Sequence, residues 1–198
     1  MNRRKLTLAA SLIALTAFGG TTPSLAAAAP PSEATMLKLL LTVPQMKAAV
    51  KYKGDLELMQ EPSCFFSTEE NFRDCGVSTR VTKLETVTPR LAWITGTSSV
   101  AAARAFYSKY VTGMKPWDGV TFTVVKKTAK EFTIVVTPTT APSPPLAMTH
   151  LILKTGIVGA QCEGPDSATA AQLSTCSLKL AQAQAKKVTT AKPPTPLG

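Results

Sequence analysis

Four cysteines and one histidine are the residues of this chain with the most direct chemistry, and their spacing decides which chemistry is open. Cys64, Cys75, Cys162 and Cys176 form no Cys-x-x-Cys pair, and only His150 could join them, so the four-ligand pattern of a zinc site is not met. No metal and no cofactor are expected. An even cysteine count in an exported chain implies two disulfides instead, which leaves no free thiol for a nucleophile. Three pairings are possible. The near-neighbour set, Cys64 with Cys75 and Cys162 with Cys176, is favoured because each pair lies inside or beside loop-like sequence. Closing loops of this size stabilises by about 3 kcal/mol apiece in the chain-entropy model.

Hydrolysis by a serine nucleophile needs an adjacent base. His150 lies in Leu146 to Leu153, where strand alternation puts it on one face with Leu146, Met148 and Ile152, so it reads as a hydrogen-bonded structural histidine. Gly-x-Ser-x-Gly, Ser-x-x-Lys and phosphate-cradling glycine loops are absent from the sequence. Catalysis by paired carboxylates needs two acids facing each other across a cleft. Asp55, Glu57, Glu69, Glu70, Asp74 and Asp118 are the available acids, and the adjacent Glu69 and Glu70 read as a solvated pair in the first cysteine loop. The aromatic side chains offer binding instead. Phe65 and Phe66 directly follow Cys64 and Trp117 lies in a turn, so these three are the candidate ligand contacts. Burial against a sheet is the competing and commoner fate of such side chains. Trp93, inside a strand, reads as core.

The elements that must position these residues begin after an export signal. Arg3, Arg4 and Lys5 precede an apolar run from Leu6 to Phe18, and small residues follow at Ser24 to Ala28. This is the anatomy of a cleaved signal peptide over residues 1–27. The run is shorter than the roughly 20 residues of a membrane span. Both the general and the twin-arginine export routes fit. No cysteine follows the run to carry a lipid anchor, so the product is expected free, outside the cell or at its envelope. Loss of the leader leaves 19 basic against 12 acidic residues, a net charge of +7. Such a charge favours anionic partners, but the lysines are scattered and no nucleic-acid motif is present.

Residues 28–35 read as a flexible joint, 36–188 as one domain, and 189–198, with three prolines, as a disordered tail. Within the domain, Thr42, Pro44 and Gln45 spell a capping box that opens a helix. Glu61 to Gly76 reads as a loop held by its own disulfide. Six strand-like runs follow, at 77–82, 90–95, 120–125, 132–137, 146–153 and 157–162. Thr97 to Ser99 cap a helix with the stripe Ala103, Phe106, Tyr107 and Tyr110, and Asp166 or Ser167 caps a last one running to about Val188. Consecutive hairpins with helices around them give an α+β fold: a central antiparallel sheet of five to six strands with helices packed on it.

This order, with Leu40-Leu41-Thr42-Val43-Pro44-Gln45-Met46, Leu91-Ala92-Trp93-Ile94, Ser99 to Phe106 and Ile157 to Cys162, resembles the PknH-like extracellular sensor domains of actinobacteria. The resemblance implies a central antiparallel sheet, two disulfides and a cleft for an unidentified ligand. Family members often carry a cysteine just after the middle helix, whereas Lys115 to Gly119 contain none.

The reading is therefore a secreted, monomeric, non-enzymatic ligand-binding or sensor-like domain at the cell envelope. Its partner is an envelope ligand or protein, with anionic ones favoured by the charge, and neither a specific nucleic acid nor a membrane span after cleavage. The alternatives are a carboxylate-dependent enzyme on wall or sugar substrates and a structural accessory protein. The exported chain is expected to begin between Ala26 and Ala29; N-terminal sequencing of protein from the medium checks this, and an intact Met1 overturns it.

Overall fold

The computed structural model describes residues 29–116, 118–139, 143–154 and 156–191. Along them run α1 (Glu33–Leu39), α2 (Val43–Val50), β1 (Glu57–Leu58), β2 (Ser63–Ser67), β3 (Phe72–Arg80), β4 (Thr88–Thr97), α3 (Val100–Gly113), β5 (Val120–Lys127), β6 (Glu131–Pro138), β7 (Leu146–Ile152), β8 (Gly156–Glu163) and α4 (Ala170–Thr190). The strands form one antiparallel sheet in the order β1-β3-β4-β8-β7-β6-β5, with β2 also paired to β3. β2 takes the first half of β3 and β1 its last residues, so the two share one edge.

The α+β class stands, but the sheet has eight strands rather than five to six. The difference lies at that edge. The segment read as a disulfide-held loop is a hairpin, in which Cys64 and Cys75 face each other in register and are bonded. β3 therefore starts at Phe72 instead of Val77. Asn71 closes the hairpin at φ 48°, a left-handed conformation that asparagine tolerates better than most residues.

Three helix ends also differ. α1 begins within the stretch read as a joint, because the Ser32 hydroxyl accepts the Thr35 N–H at 3.3 Å and Met36 is buried. α4 is capped by Thr169, not Asp166 or Ser167: Gln172 Oε1 accepts the Thr169 N–H and Thr169 Oγ1 accepts the Gln172 N–H. α4 also continues to Thr190, into the segment read as tail. Residues 192–198 lie outside the described residues.

The sheet's two faces are covered unequally. On the first, Cys75, Val77, Ala92, Ile94, Val158 and Ala160 pack beneath α1, α2 and α4. The Cys162–Cys176 disulfide ties α4 to β8. A hydroxyl chain, Thr133 to Thr149 to Ser177 at 3.1 and 2.8 Å, joins β6 and β7 to the same helix. The fully buried Gln184 completes the cover. Its Nε2 donates to the Leu39 carbonyl at 2.7 Å, and its Oε1 accepts the Leu41 N–H at 3.0 Å. It thereby pairs backbone groups that the end of α1 leaves without helical partners. On the second face α3 alone lays Tyr107 and Val111 over Phe132, Ile134, Val136 and Ile157.

Gln184→Leu keeps the volume but strands the Leu39 carbonyl and the Leu41 N–H. It should lower unfolding free energy by about 2–3 kcal/mol. Urea denaturation checks this; a loss below about 1 kcal/mol would mean that water satisfies both groups.

Candidate functional site

Opposite residues of antiparallel strands share a face, so the register sets the side chains of the second face in rows. One row reads Gly76, Trp93, Gly159, His150, Phe132. The next reads Ser78, Leu91, Gln161, Met148, Ile134.

In the first row the missing side chain of Gly159 decides the geometry. A Cβ there would meet Trp93 Cζ2 at 2.1 Å and Cε2 at 2.2 Å, so only glycine lets the indole cross β8. The indole then lies 5.0 Å from the His150 ring, with Tyr110 at 4.6 Å and Phe132 at 6.2 Å on other sides. His150 is 2 % exposed, and neither ring nitrogen has a hydrogen-bond partner. Burial pushes its pKa down to about 3; the Phe132 backbone works the other way and is outweighed. His150 is thus a neutral structural ring walled in by aromatics, with the Phe132 backbone as its polar contact. No substrate reaches it as a base.

Beside this row Asp74 Oδ1 accepts the Thr95 hydroxyl at 2.9 Å. Burial raises the Asp74 pKa to about 6, with the Thr95 hydrogen bond opposing. Burial, and then the Asp74 charge, hold the Tyr110 phenol well above its ordinary value. The group under α3 is therefore largely uncharged at the acid end of the physiological range.

The second row is open. Ser78, Leu91, Gln161 and Met148 are half-buried, as are Gly76 and Trp93 beside them. Leu91, Trp93 and Gln161 belong to none of the core clusters. Ser78 Oγ is enclosed at the strip's β3 end without a hydrogen-bond partner. Trp93, expected in the core, is thus the inner wall of a half-buried strip that combines an aromatic ring, a thioether and an amide. Such a mixture suits an apolar ligand with polar edges.

The residues picked out as ligand contacts do not form one surface. Phe65 and Phe66 are 46 % and 40 % exposed on β2 rather than buried against the sheet. They point to opposite faces: Phe65 pairs with Asp74 in register and its ring lies 6.3 Å from Phe72, while Arg73 sits 5.0 Å over the Phe66 ring. Trp117 lies outside the described residues. From Phe65 a line of rings continues under α3 through Phe72, Phe106, Tyr110 and His150 to Trp93. Among the acids, Glu70 is held by Lys109 and Glu57 by Arg80, and Glu69 and Asp118 are exposed. Asp55 lines an open cleft of about 640 Å³ among Lys51, Lys53 and Lys83. Among the described residues no group of three His, Cys, Asp or Glu could hold a metal ion.

The Asp74 and His150 shifts have opposite consequences for stability. Asp74 titrates near 6 folded against 3.8 ordinarily, so between these values the folded state binds more protons and this contribution falls as pH rises. His150 titrates near 3 folded against 6.5, so its contribution grows as pH rises through that range. Asp74→Asn removes only the falling part. The stability of the variant minus that of wild type should therefore climb from about pH 4 to pH 6, by at most about 1.4 kcal/mol per unit. Urea melts across that range check the slope, and a pH-independent difference would show that Asp74 titrates normally.

No family model matches the sequence, and no curated protein matches it. Among solved structures, the fold is similar to that of the extracellular domain of PknH from Mycobacterium tuberculosis, with a TM-score of 0.58 at 15% sequence identity. The match covers 79% of this chain and 98% of that one. At this identity the likeness is one of fold, and at that level it agrees with the sensor-domain resemblance carried by the sequence.

Proposed function

We propose that the chain is an exported, non-enzymatic, sensor-like domain that binds an envelope ligand on the open strip beside Trp93. In this reading residues 1–27 are the leader, and the binding domain of 36–188 extends outward to take in α1 from Glu33 and the end of α4 at Thr190. The observation that carries it is the half-buried row Leu91, Gln161, Met148 with Trp93 behind it, on the face where α3 is the only helical cover among the described residues. Two disulfides and a fold shared with an extracellular domain support a place outside the cell. The described residues contain no helix long and apolar enough to cross a membrane. The carboxylate-enzyme alternative gains little from acids that are ion-paired, exposed or buried beneath α3.

Apolar contacts are insensitive to ionic strength, whereas exposed charges are screened over roughly 8 Å at physiological salt. The best-bound envelope fraction should therefore keep most of its affinity at high salt. Leu91→Ala and Gln161→Ala should each weaken it about tenfold or more, with thermal unfolding unchanged. Phe65→Ala and Trp117→Ala test the other aromatic positions in the same assay. Binding that vanishes with salt and ignores the strip variants overturns the proposal.

A further inference from the structure

The sheet's far end holds a second, unrelated cleft. Two hairpin turns open there, β5 to β6 and β7 to β8, between the flank of α3 and the last turn of α4. The cleft is half open to solvent, with a volume of about 1070 Å³, and none of the strip residues lines it. Four cations line it: Arg104 from α3, Lys127 from the end of β5, Lys130 from the first turn, and Lys154 from the second. All four are exposed, and no acidic residue lines the cleft.

Neighbouring cations with an acid in reach use it: Lys126 pairs with Glu131 at 2.8 Å, and Lys109 pairs with Glu70. Among the described residues the four cleft cations have no ion-pair partner. Converging, unpaired positive charge raises the local concentration of anions. Below the cations the lining turns apolar, with Val111 buried and Ile152 and Leu153 half-buried. The α3 turn at the rim carries Val100, 41 % exposed.

The volume exceeds what an inorganic anion fills and lies just above the usual span of ligand pockets, about 300–1,000 Å³. A flat bilayer would meet the exposed cations but not the side chains set between the turns. We propose that this cleft binds a single anionic amphiphile, a phosphate or carboxylate head on an alkyl or prenyl chain. The head lies among Arg104, Lys127, Lys130 and Lys154, and the chain along Val111, Ile152 and Leu153.

The test uses the purified chain and three monomeric probes below their micelle concentrations: dodecyl phosphate, dodecylphosphocholine and inorganic phosphate. Calorimetric titration at physiological salt should show dodecyl phosphate binding at least tenfold tighter than either of the others. Combined Lys127→Glu, Lys130→Glu and Lys154→Glu should weaken it about a hundredfold, at roughly fivefold per cation. Ser108→Trp, which fills the cleft from an exposed position on α3, should abolish it; if that variant misfolds, the exposed lysine set still decides. Leu91→Ala should leave it intact, so the strip and the cleft succeed or fail separately. Equal affinity for the three probes, indifference to the lysine set, or binding to phosphatidylglycerol vesicles but not to monomers overturns the proposal.

Discussion

The contact between the Trp93 indole and the bare backbone of Gly159 governs the second face of the sheet. With no Cβ in the way, the indole spans β8 and closes one side of His150, whose other sides are closed by Tyr110 and Phe132. A charged imidazole is strongly disfavoured in that enclosure, because burial penalises the ionised form. The ring stays neutral and acts as one more flat surface, and aromatic contacts of this kind are worth about 0.5–1.5 kcal/mol each beyond area burial. The same indole divides the face. On its α3 side lie the sequestered Asp74, Tyr110 and His150, and on the other lies the open row of Leu91 and Gln161.

The two covers of the sheet differ in kind. α4 is bonded to β8 by a disulfide, linked to β7 by hydroxyls, and tied through Gln184 to the turn between α1 and α2. α3 rests mainly on packed rings and aliphatic side chains, with Tyr107 Oη donating to the Thr128 carbonyl and Lys109 paired with Glu70, and it roofs an aspartate and a histidine that both have shifted titrations. Regions with fewer satisfied polar ties open at lower free energy. By this measure α3, which lines the cleft, is held less firmly than α4.

Local signals made the helices and long hairpins legible in the sequence. The capping residues Thr42 and Ser99, the period of α3, and the runs on either side of Lys126 to Glu131 and Lys154 to Gly156 all specify structure within a few residues. The near-neighbour disulfides followed from spacing. β1 and β2 were hidden because a two-residue strand has no period, and because Cys64 to Phe66 is too short a run to separate from a loop. Trp93 was hidden for a different reason: its half-exposure depends on Gly76 and Gly159, which only the register brings beside it. The basic cleft shows the same limit. Arg104, Lys127, Lys130 and Lys154 read as scattered along the chain, and become one feature only because two hairpins turn at the same end of the sheet.

The treatment of hydroxyls distinguishes the strip from ordinary half-buried surface. Thr133, Thr149 and Ser177 are buried on the α4 side, and each finds a hydroxyl partner within 3.1 Å. Thr79, one residue beyond Ser78 on the opposite face, donates to the Pro89 carbonyl at 2.6 Å. Ser78 Oγ alone among these has none. An enclosed hydroxyl without a partner costs about 1–3 kcal/mol, and replacement by alanine would remove that cost. A fold that satisfies its other buried hydroxyls carries this deficit at the end of its open row, beside Leu91 and the unlidded Trp93. In the proposed reading, an acceptor or donor arriving from outside the chain would relieve the deficit and couple occupation of the strip to the stability of the edge formed by β3 and β4.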